Sequence, residues 1–386
     1  MGGVNVRIGI LTFHWAINYG AILQVTALYH YLRKIDPDSQ VDIINFIPKK
    51  FERAYSFSII RRNPKISIER LSYIFNGGHK RSKKFLCFIN NNLSLTQKIS
   101  NLNDLPSILE KYDSLIVGSD QVWNKEIVGE FINAFILKNV CSARKISYSA
   151  SVGSCQNIPL IEQELRYVAK NFDFISVREK CLEEYFKHII NRDDVVLTLD
   201  PVFLHDEDFW AGISQNMLCD KTNNQTEKYI LVYMLDYDPK LIDFVRFISD
   251  ITKMPVISIE PPLYRKHKYR NKFADKYIYD LGPEEFLSFF RHSSLVVTNS
   301  FHGTAFSIIF GRPFFVIPHP TRNDRIISLL RLLNLEEYMV TKADTDTIKN
   351  QIKRYSSSLN HAKSVLKILQ TNSRNFLRRS LKEGTD

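Results

Sequence analysis

The chain has 386 residues, 44% of them hydrophobic and 24% charged, with 52 Lys and Arg against 41 Asp and Glu. That length suits two domains, and the composition excludes a disordered or fibrous chain. The net charge of +11 favours anionic partners, a charged substrate or an anionic bilayer, over nucleic acid, for which no motif accompanies the charge.

The elements alternate between strand and helix. Val6–Phe13 is an apolar run that reads as a strand, Gly20–Lys34 carries helical periodicity, and Val41–Phe46 reads as the next strand. A basic segment from Lys49 to Lys84 holds 11 Lys or Arg against 2 acids and reads as helices outside the sheet or as solvated loops. Short apolar runs follow at Ser114–Val117, Lys145–Ala150, Phe172–Val177 and Val195–Leu199, with helices expected at Leu160–Lys170 and Glu179–Lys187. The polar stretch Gln215–Lys228 breaks the pattern and is the expected boundary between domains 1–214 and 215–386. Beyond it, strands are expected at Tyr229–Met234, Val256–Ile259, Lys276–Tyr279, Leu295–Thr298 and Phe314–Ile317. Helices are expected at Pro239–Thr252, Pro283–Arg291, Phe301–Phe310 and Asp324–Leu333, and the last forty residues read as basic helix. Repeated βα units predict parallel sheets covered on both faces. Two such halves predict twin Rossmann-like domains facing across a cleft, with ligands beyond the carboxyl ends of the strands.

No apolar run reaches membrane-spanning length, and the start, MGGVNVRIGILTF, runs into a strand without a cleavage pattern. The expected location is cytoplasmic, with peripheral contact to the inner membrane face as a further expectation. Five scattered cysteines without a CxxC pair argue against a disulfide framework or a zinc site. No metal ligand set is expected among the histidines.

Four segments carry candidate chemistry. Residues 14–20, HWAINYG, end the first strand and open the first helix. They form a simple βα turn or contact a ligand through Asn18, Tyr19 and Gly20, with Gln24 one turn on. Residues 117–124, VGSDQVWN, bring Asp120, Gln121, Trp123 and Asn124 to a strand end. Asp120 accepts hydrogen bonds from a hydroxyl, acts as a general base if buried, or caps a helix. Trp123 offers its ring to a sugar or to the core. Arg178 ends another strand, where its fork reads carboxylate or phosphate or pairs with a neighbouring acid such as Glu179. Asp200 is a strand stop suited to orienting a nearby arginine.

The fourth segment is the most informative. Residues 295–318 read LVVTNSFHGTAFSIIFGRPFFVIP: a strand, a turn, a helix and a second strand. Ser300, Phe301, His302 and Gly303 fall at the helix start, where backbone N–H groups and the helix dipole favour an anion. An imidazole with an ordinary pKa of ~6.5 there can also move a proton. Downstream, Thr321–Arg325 precedes a helix, and Arg325 or Asn323 reaches the same site or is surface.

Taken together, NYGAILQ, VGSDQVWN, SYSASVG at 147–153, SVRE at 176–179, LDPVFL at 199–204 and TNSFHGTAFSIIFGRPF at 298–314 resemble the polysaccharide pyruvyl transferase family in order and spacing. The resemblance spans most of the chain and implies a glycosyltransferase-B-like architecture. It implies phosphoenolpyruvate as donor, a hexose hydroxyl of a capsular, exopolysaccharide or cell-wall glycan or its lipid-linked precursor as acceptor, and a pyruvate ketal as product. It places His302 and Arg178 in donor binding and catalysis, and the chemistry needs no redox cofactor or metal. Some members carry an arginine two residues before the histidine. Ser300 stands there instead, leaving Arg325 or Arg312 to supply the second cation. The alternatives are a nucleotide-sugar glycosyltransferase of the same architecture, with Glu260, Glu284 and Glu285 as candidate ribose acids, and a non-catalytic glycan- or lipid-binding protein.

Overall fold

The computed structural model describes residues 6–51, 77–214, 228–235, 238–260, 272–318, 323–340 and 344–382. A second basic, tyrosine-bearing run of the sequence, Tyr264–Arg270, lies outside the described residues, as do most of the Lys49–Lys84 segment, the expected boundary Gln215–Lys228 apart from its last residue, and Thr321 and Arg322.

The chain divides into two compact units. The first comprises Met1–Ser56, Asn90–His205 and Leu366–Asp386; the second comprises Phe57–Ile89 and Asp206–Val365. The single cut expected after residue 214 therefore differs from this division in three ways. The border lies at 205/206, residues 57–89 group with the second unit, and the chain's last residues group with the first.

The first unit holds six parallel strands: β1 (Arg7–Leu11), β2 (Gln40–Ile43), β3 (Ser114–Val117), β4 (Arg144–Ala150), β5 (Phe174–Val177) and β6 (Val196–Leu197), ordered β2-β1-β3-β4-β5-β6. Strands β1 and β3 are buried on both faces, as the unbroken apolar runs IGIL and LIV require of a sheet covered by helices. Helix α1 (Tyr19–Ile35) starts where the Asn18 carboxamide accepts from Ala21 N at 3.1 Å and ends on Arg33 and Lys34, which complement its dipole. Helix α2 (Gly78–Asn92), which groups with the second unit up to Ile89, precedes the first unit's short helices α3 (Leu105–Leu109), α4 (Lys125–Val128) and α5 (Ile132–Phe135). Helices α6 (Glu162–Asn171) and α7 (Lys180–His188) complete the crossovers.

The second unit has five parallel strands: β7 (Ile230–Tyr233), β8 (Val256–Ile259), β9 (Lys276–Ile278), β10 (Leu295–Thr298) and β11 (Phe314–Val316), ordered β11-β10-β7-β8-β9. Its helices are α8 (Glu207–Ser214), α9 (Pro239–Thr252), α10 (Pro283–His292), α11 (Phe301–Ile309) and α12 (Asp324–Leu333). Pro239 and Pro283 sit in the first turns of α9 and α10, where a missing N–H costs nothing. Glu285 accepts from Gly282 N at 2.7 Å and so satisfies the N-cap N–H of α10. The final helix α13 (Thr345–Lys382) carries nine Lys or Arg against Asp346 alone. Its last turns are anchored in the first unit: Ser373 Oγ accepts from Leu199 N at 3.0 Å, and Arg144 Nη1 donates to Leu381 O at 2.9 Å.

The eleven expected strands are all present apart from shifts of a few residues at their ends, and no further strand lies among the described residues. One expectation is overturned. Cys155 and Cys181 form a disulfide with Cα atoms 6.1 Å apart, although 26 residues separate them in sequence. Spacing alone hides such a pair, because the loop after β4 and the start of α7 meet only in the folded chain.

Candidate functional site

Both sheets reverse their strand order once, and ligands of open α/β sheets bind beyond the carboxyl ends of the strands at such points. In the first unit the reversal lies between β1 and β3, and the segments leaving those strands are hydrogen-bonded: Thr12 Oγ1 donates to Ser119 O at 2.8 Å. In the second it lies between β7 and β10, where Leu235 N donates to Asn299 Oδ1 at 3.0 Å.

In the first unit, Gly118 has φ of +105° and its Cβ, if present, would lie 2.5 Å from Tyr148 O, so only glycine lets β3 leave the sheet here. The Gly118–Ser119 peptide is cis, and Asp120 follows with φ of +75°, a region Asp tolerates better than most residues. Asp120 is half-buried, and its Oδ1 accepts from Gln121 N at 2.9 Å. Ser119 is fully buried; its hydroxyl donates to Ser149 O at 3.0 Å and accepts from Arg178 Nη2.

Arg178 does not form a surface pair with Glu179. It is buried, and its Nη2 lies 2.6 Å from Asp200 Oδ2, with the two side chains 3% and 0% exposed. A buried guanidinium needs such a counter-charge to offset its desolvation. Asp200 thus orients the arginine, as its strand-end position suggests, and also caps the turn at Pro201 through Val202 N at 3.0 Å. Tyr148 donates to Leu199 O at 3.1 Å, and burial, then the Asp200 charge, push its phenol well above its ordinary pKa.

Several expected ligand contacts are spent inside the protein. Trp123 is fully buried, its Nε1 donates to Phe135 O at 3.0 Å, and its ring meets Phe172 and Phe186. It is a core residue, which corrects the sugar-stacking alternative. Tyr19 is also fully buried, and Gly20 lies beneath the surface beside it. Gln24 is fully buried; its Nε2 donates to Thr12 Oγ1 at 3.1 Å and Ala21 O at 3.0 Å, so it braces the β1 loop. Asn124 caps α4 by accepting from Glu126 N at 3.1 Å, and its Nδ2 donates to Gln121 Oε1 at 2.9 Å. Among the expected acceptor-side residues, Asn18 is exposed and Gln121 half-buried.

In the second unit, Thr298 ends β10 and donates through Oγ1 to Tyr233 O at 2.6 Å. Ser300 is the N-cap of α11: its Oγ accepts from Gly303 N at 3.3 Å, and its own N donates to Thr298 Oγ1 at 3.0 Å. A Cβ on residue 303 would lie 2.4 Å from Thr298 Oγ1, so glycine allows the helix to start directly on the strand end. His302 follows the cap, 8% exposed, with its ring edge-on to Phe301 at 5.2 Å. The Arg325 guanidinium lies 5.8 Å from the Phe301 ring centre, which brings Arg325 to the same helix start. Arg312 does not share this position. It follows the far end of α11, a nine-residue helix that spans ~13 Å at 1.5 Å per residue.

The acids considered for a ribose are otherwise engaged. Glu285 holds Lys84 Nζ at 2.7 Å, and buried Glu260 accepts from Ser258 Oγ at 2.8 Å. Glu284 is pushed above its ordinary pKa by burial and then by Glu285.

The residues that sequence reasoning missed are hydroxyls. Ser147, Ser149 and Ser151 recur with a period of two along β4 and the residue beyond it, and each bonds a neighbouring element. The period in SYSAS was the available signal.

Two parallel α/β units define a GT-B-like protein. Solved structures with this arrangement are similar over almost the whole chain. UDP-GlcNAc 2-epimerase from Neisseria meningitidis bound to UDP-GlcNAc is 10% identical with a TM-score of 0.52, covering 97% of this chain and 99% of that one. S. aureus MnaA with UDP is 12% identical with a TM-score of 0.52, covering 99% and 98%. Anabaena Alr3699/HepE in complex with UDP and glucose is 9% identical with a TM-score of 0.54, covering 98% and 100%. No curated protein matches the sequence. The family model of polysaccharide pyruvyl transferase matches residues 18–320, and the chain belongs to that family.

Proposed function

We propose that this transferase moves the pyruvyl group of phosphoenolpyruvate onto two hydroxyls of a hexose in a surface polysaccharide or its lipid-linked precursor. The observation that carries the reading is His302 in the first turn of α11, beside Arg325 and at a strand-order reversal, within a chain matched by this family over residues 18–320. A helix start of this kind suits a phosphate or carboxylate.

The chemistry follows from the donor. A proton added to the methylene carbon makes the central carbon electron-poor. One sugar hydroxyl bonds to that carbon, a second closes the ketal, and inorganic phosphate leaves with its oxygen. Of the two hydroxyl protons released, one balances the new methyl group and the other goes to phosphate. In this reading His302 supplies the acid proton or stabilises the departing phosphate, and Asp120 accepts a hydroxyl proton. Ser300, Phe301, Gly303 and Arg325 line the donor side with His302. Asn18 and Gln121 are the acceptor contacts still available to solvent. Arg178, whose charge is already met by Asp200, acts in this reading by holding Ser119.

Among the described residues no helix is long and apolar enough to cross a membrane. Contact with an anionic, lipid-bearing surface is proposed separately, on the nine Lys or Arg that α13 carries against Asp346 alone. A nucleotide-sugar glycosyltransferase is the competing reading, favoured by the UDP-bound structures of similar fold. A thermal-shift screen of phosphoenolpyruvate against UDP-sugars separates the two: stabilisation by phosphoenolpyruvate alone supports pyruvyl transfer, and stabilisation by UDP-sugars alone overturns it.

A further inference from the structure

Glu179 follows Arg178 at the end of β5, yet the two side chains serve different loops. Arg178 reaches Ser119, whereas Glu179, 1% exposed, reaches Ser151 beyond β4. The direction of that bond is fixed by chemistry. Glu179 Oε1 accepts, and the serine hydroxyl has one proton to give. Ser151 therefore donates to Glu179 Oε1, which leaves its oxygen lone pairs to accept from Gly153 N at 3.0 Å.

Gly153 in turn sits against the acceptor-side turn. Its φ is +80°, and a Cβ there would lie 2.2 Å from Gln121 Oε1 and 2.8 Å from Asn124 Nδ2. The same loop is bonded to that turn through the backbone: Ser151 N donates to Asp120 O, and Trp123 N donates to Ser151 O, both at 3.1 Å. Glu179, Ser151 and Gly153 thus form a continuous link from the sheet interior to the Gln121 carboxamide.

We propose that Glu179 is a positioning residue for acceptor recognition: through Ser151 it fixes the 151–153 loop, and so the placement of Gln121 and Asp120 toward the acceptor sugar. This rests on the pyruvyl-transfer reading for what is recognised, but not for the link itself. Glu179→Ala removes the acceptor of the Ser151 hydroxyl. Glu179→Gln keeps a carboxamide oxygen that can take the same bond. Ser151→Ala removes the relay while leaving the buried carboxylate in place.

The test compares full-length wild type with these three variants by amide hydrogen exchange and by steady-state transfer from phosphoenolpyruvate to a panel of lipid-linked hexoses. Glu179→Ala and Ser151→Ala are expected to lose protection at Gly153 and Trp123 and to raise the acceptor KM about tenfold, the scale of one lost buried hydrogen bond. The donor KM is expected to stay within about twofold, and Glu179→Gln to restore both readouts. If Glu179→Ala does not fold, Ser151→Ala decides. Unchanged protection or an unchanged acceptor KM in Ser151→Ala overturns the proposal, as does a Glu179→Gln variant no better than Ala. A wild type that transfers pyruvate to no acceptor overturns the functional reading instead, and amide exchange alone then decides whether Glu179 fixes the loop.

Discussion

Arg178 and Asp200 are joined by a 2.6 Å ion pair that is closed to solvent, their side chains 3% and 0% exposed. The pair lies beneath Ser119, whose hydroxyl accepts from the same guanidinium. A charge that is already neutralised inside the protein serves to hold its neighbours before it serves a ligand.

Removing one partner of such a pair leaves an uncompensated buried charge. Asp200→Asn is expected to lower stability by ~3–5 kcal/mol in urea denaturation. The double variant Arg178→Met with Asp200→Leu is expected to cost less than Asp200→Asn alone, because both charges leave together. A single variant as stable as wild type would show that the pair does not organise this end of the sheet.

His302 is buried just beyond the Ser300 cap, which does not depend on the imidazole. His302→Ala is therefore expected to fold with a near-normal circular dichroism spectrum while losing at least ~100-fold in turnover, the lower range for a positioned acid or base. Turnover close to wild type would remove His302 from the chemistry.

Acid sensitivity is expected from two buried histidines. Burial lowers His205 to about 4, with Nε2 donating to Ala27 O at 2.9 Å, and burial also lowers His14. Their unfolded-state values lie near ~6.5, so below that pH the unfolded chain binds more protons than the folded one. Stability should fall as pH drops from ~6.5 toward 4, by on the order of 3 kcal/mol for His205. Thermal melts across that window should show a smaller loss for His205→Gln, and a parallel loss would exclude His205 as a cause.

The Cys155–Cys181 bond ties the loop after β4 to the start of α7, closing 26 residues of chain. Chain-entropy arguments give a loop of that length ~3–4 kcal/mol of stabilisation. Reductant should therefore lower the melting temperature of wild type and leave Cys181→Ser unchanged. Equal responses in both proteins would show that the bond contributes nothing.

Much of the fold was legible because parallel strands buried on both faces leave unbroken apolar runs. Val256–Ile259 and Leu295–Thr298 were delimited to the residue. The helix start at His302 was legible for a local reason: Ser300 and Gly303 are the cap and the close contact that a strand-to-helix turn requires. What stayed hidden depends on residues far apart in sequence. Ser151 and Glu179 are separated by 28 positions, and so are bonded only through the sheet. Trp123 shows the same limit from the other side. Its neighbours in VGSDQVWN suggest a ligand, but its ring turns inward to Phe172 and Phe186.

The central claim is that this chain consumes phosphoenolpyruvate to build a ketal on a sugar. Mass spectrometry of lipid-linked hexoses incubated with the protein and phosphoenolpyruvate tests it most directly. The expected result is an acceptor heavier by one pyruvyl unit, with one phosphate released per unit added. An unchanged acceptor throughout the panel, or an acceptor heavier by a hexose when a UDP-sugar is supplied instead, would contradict it.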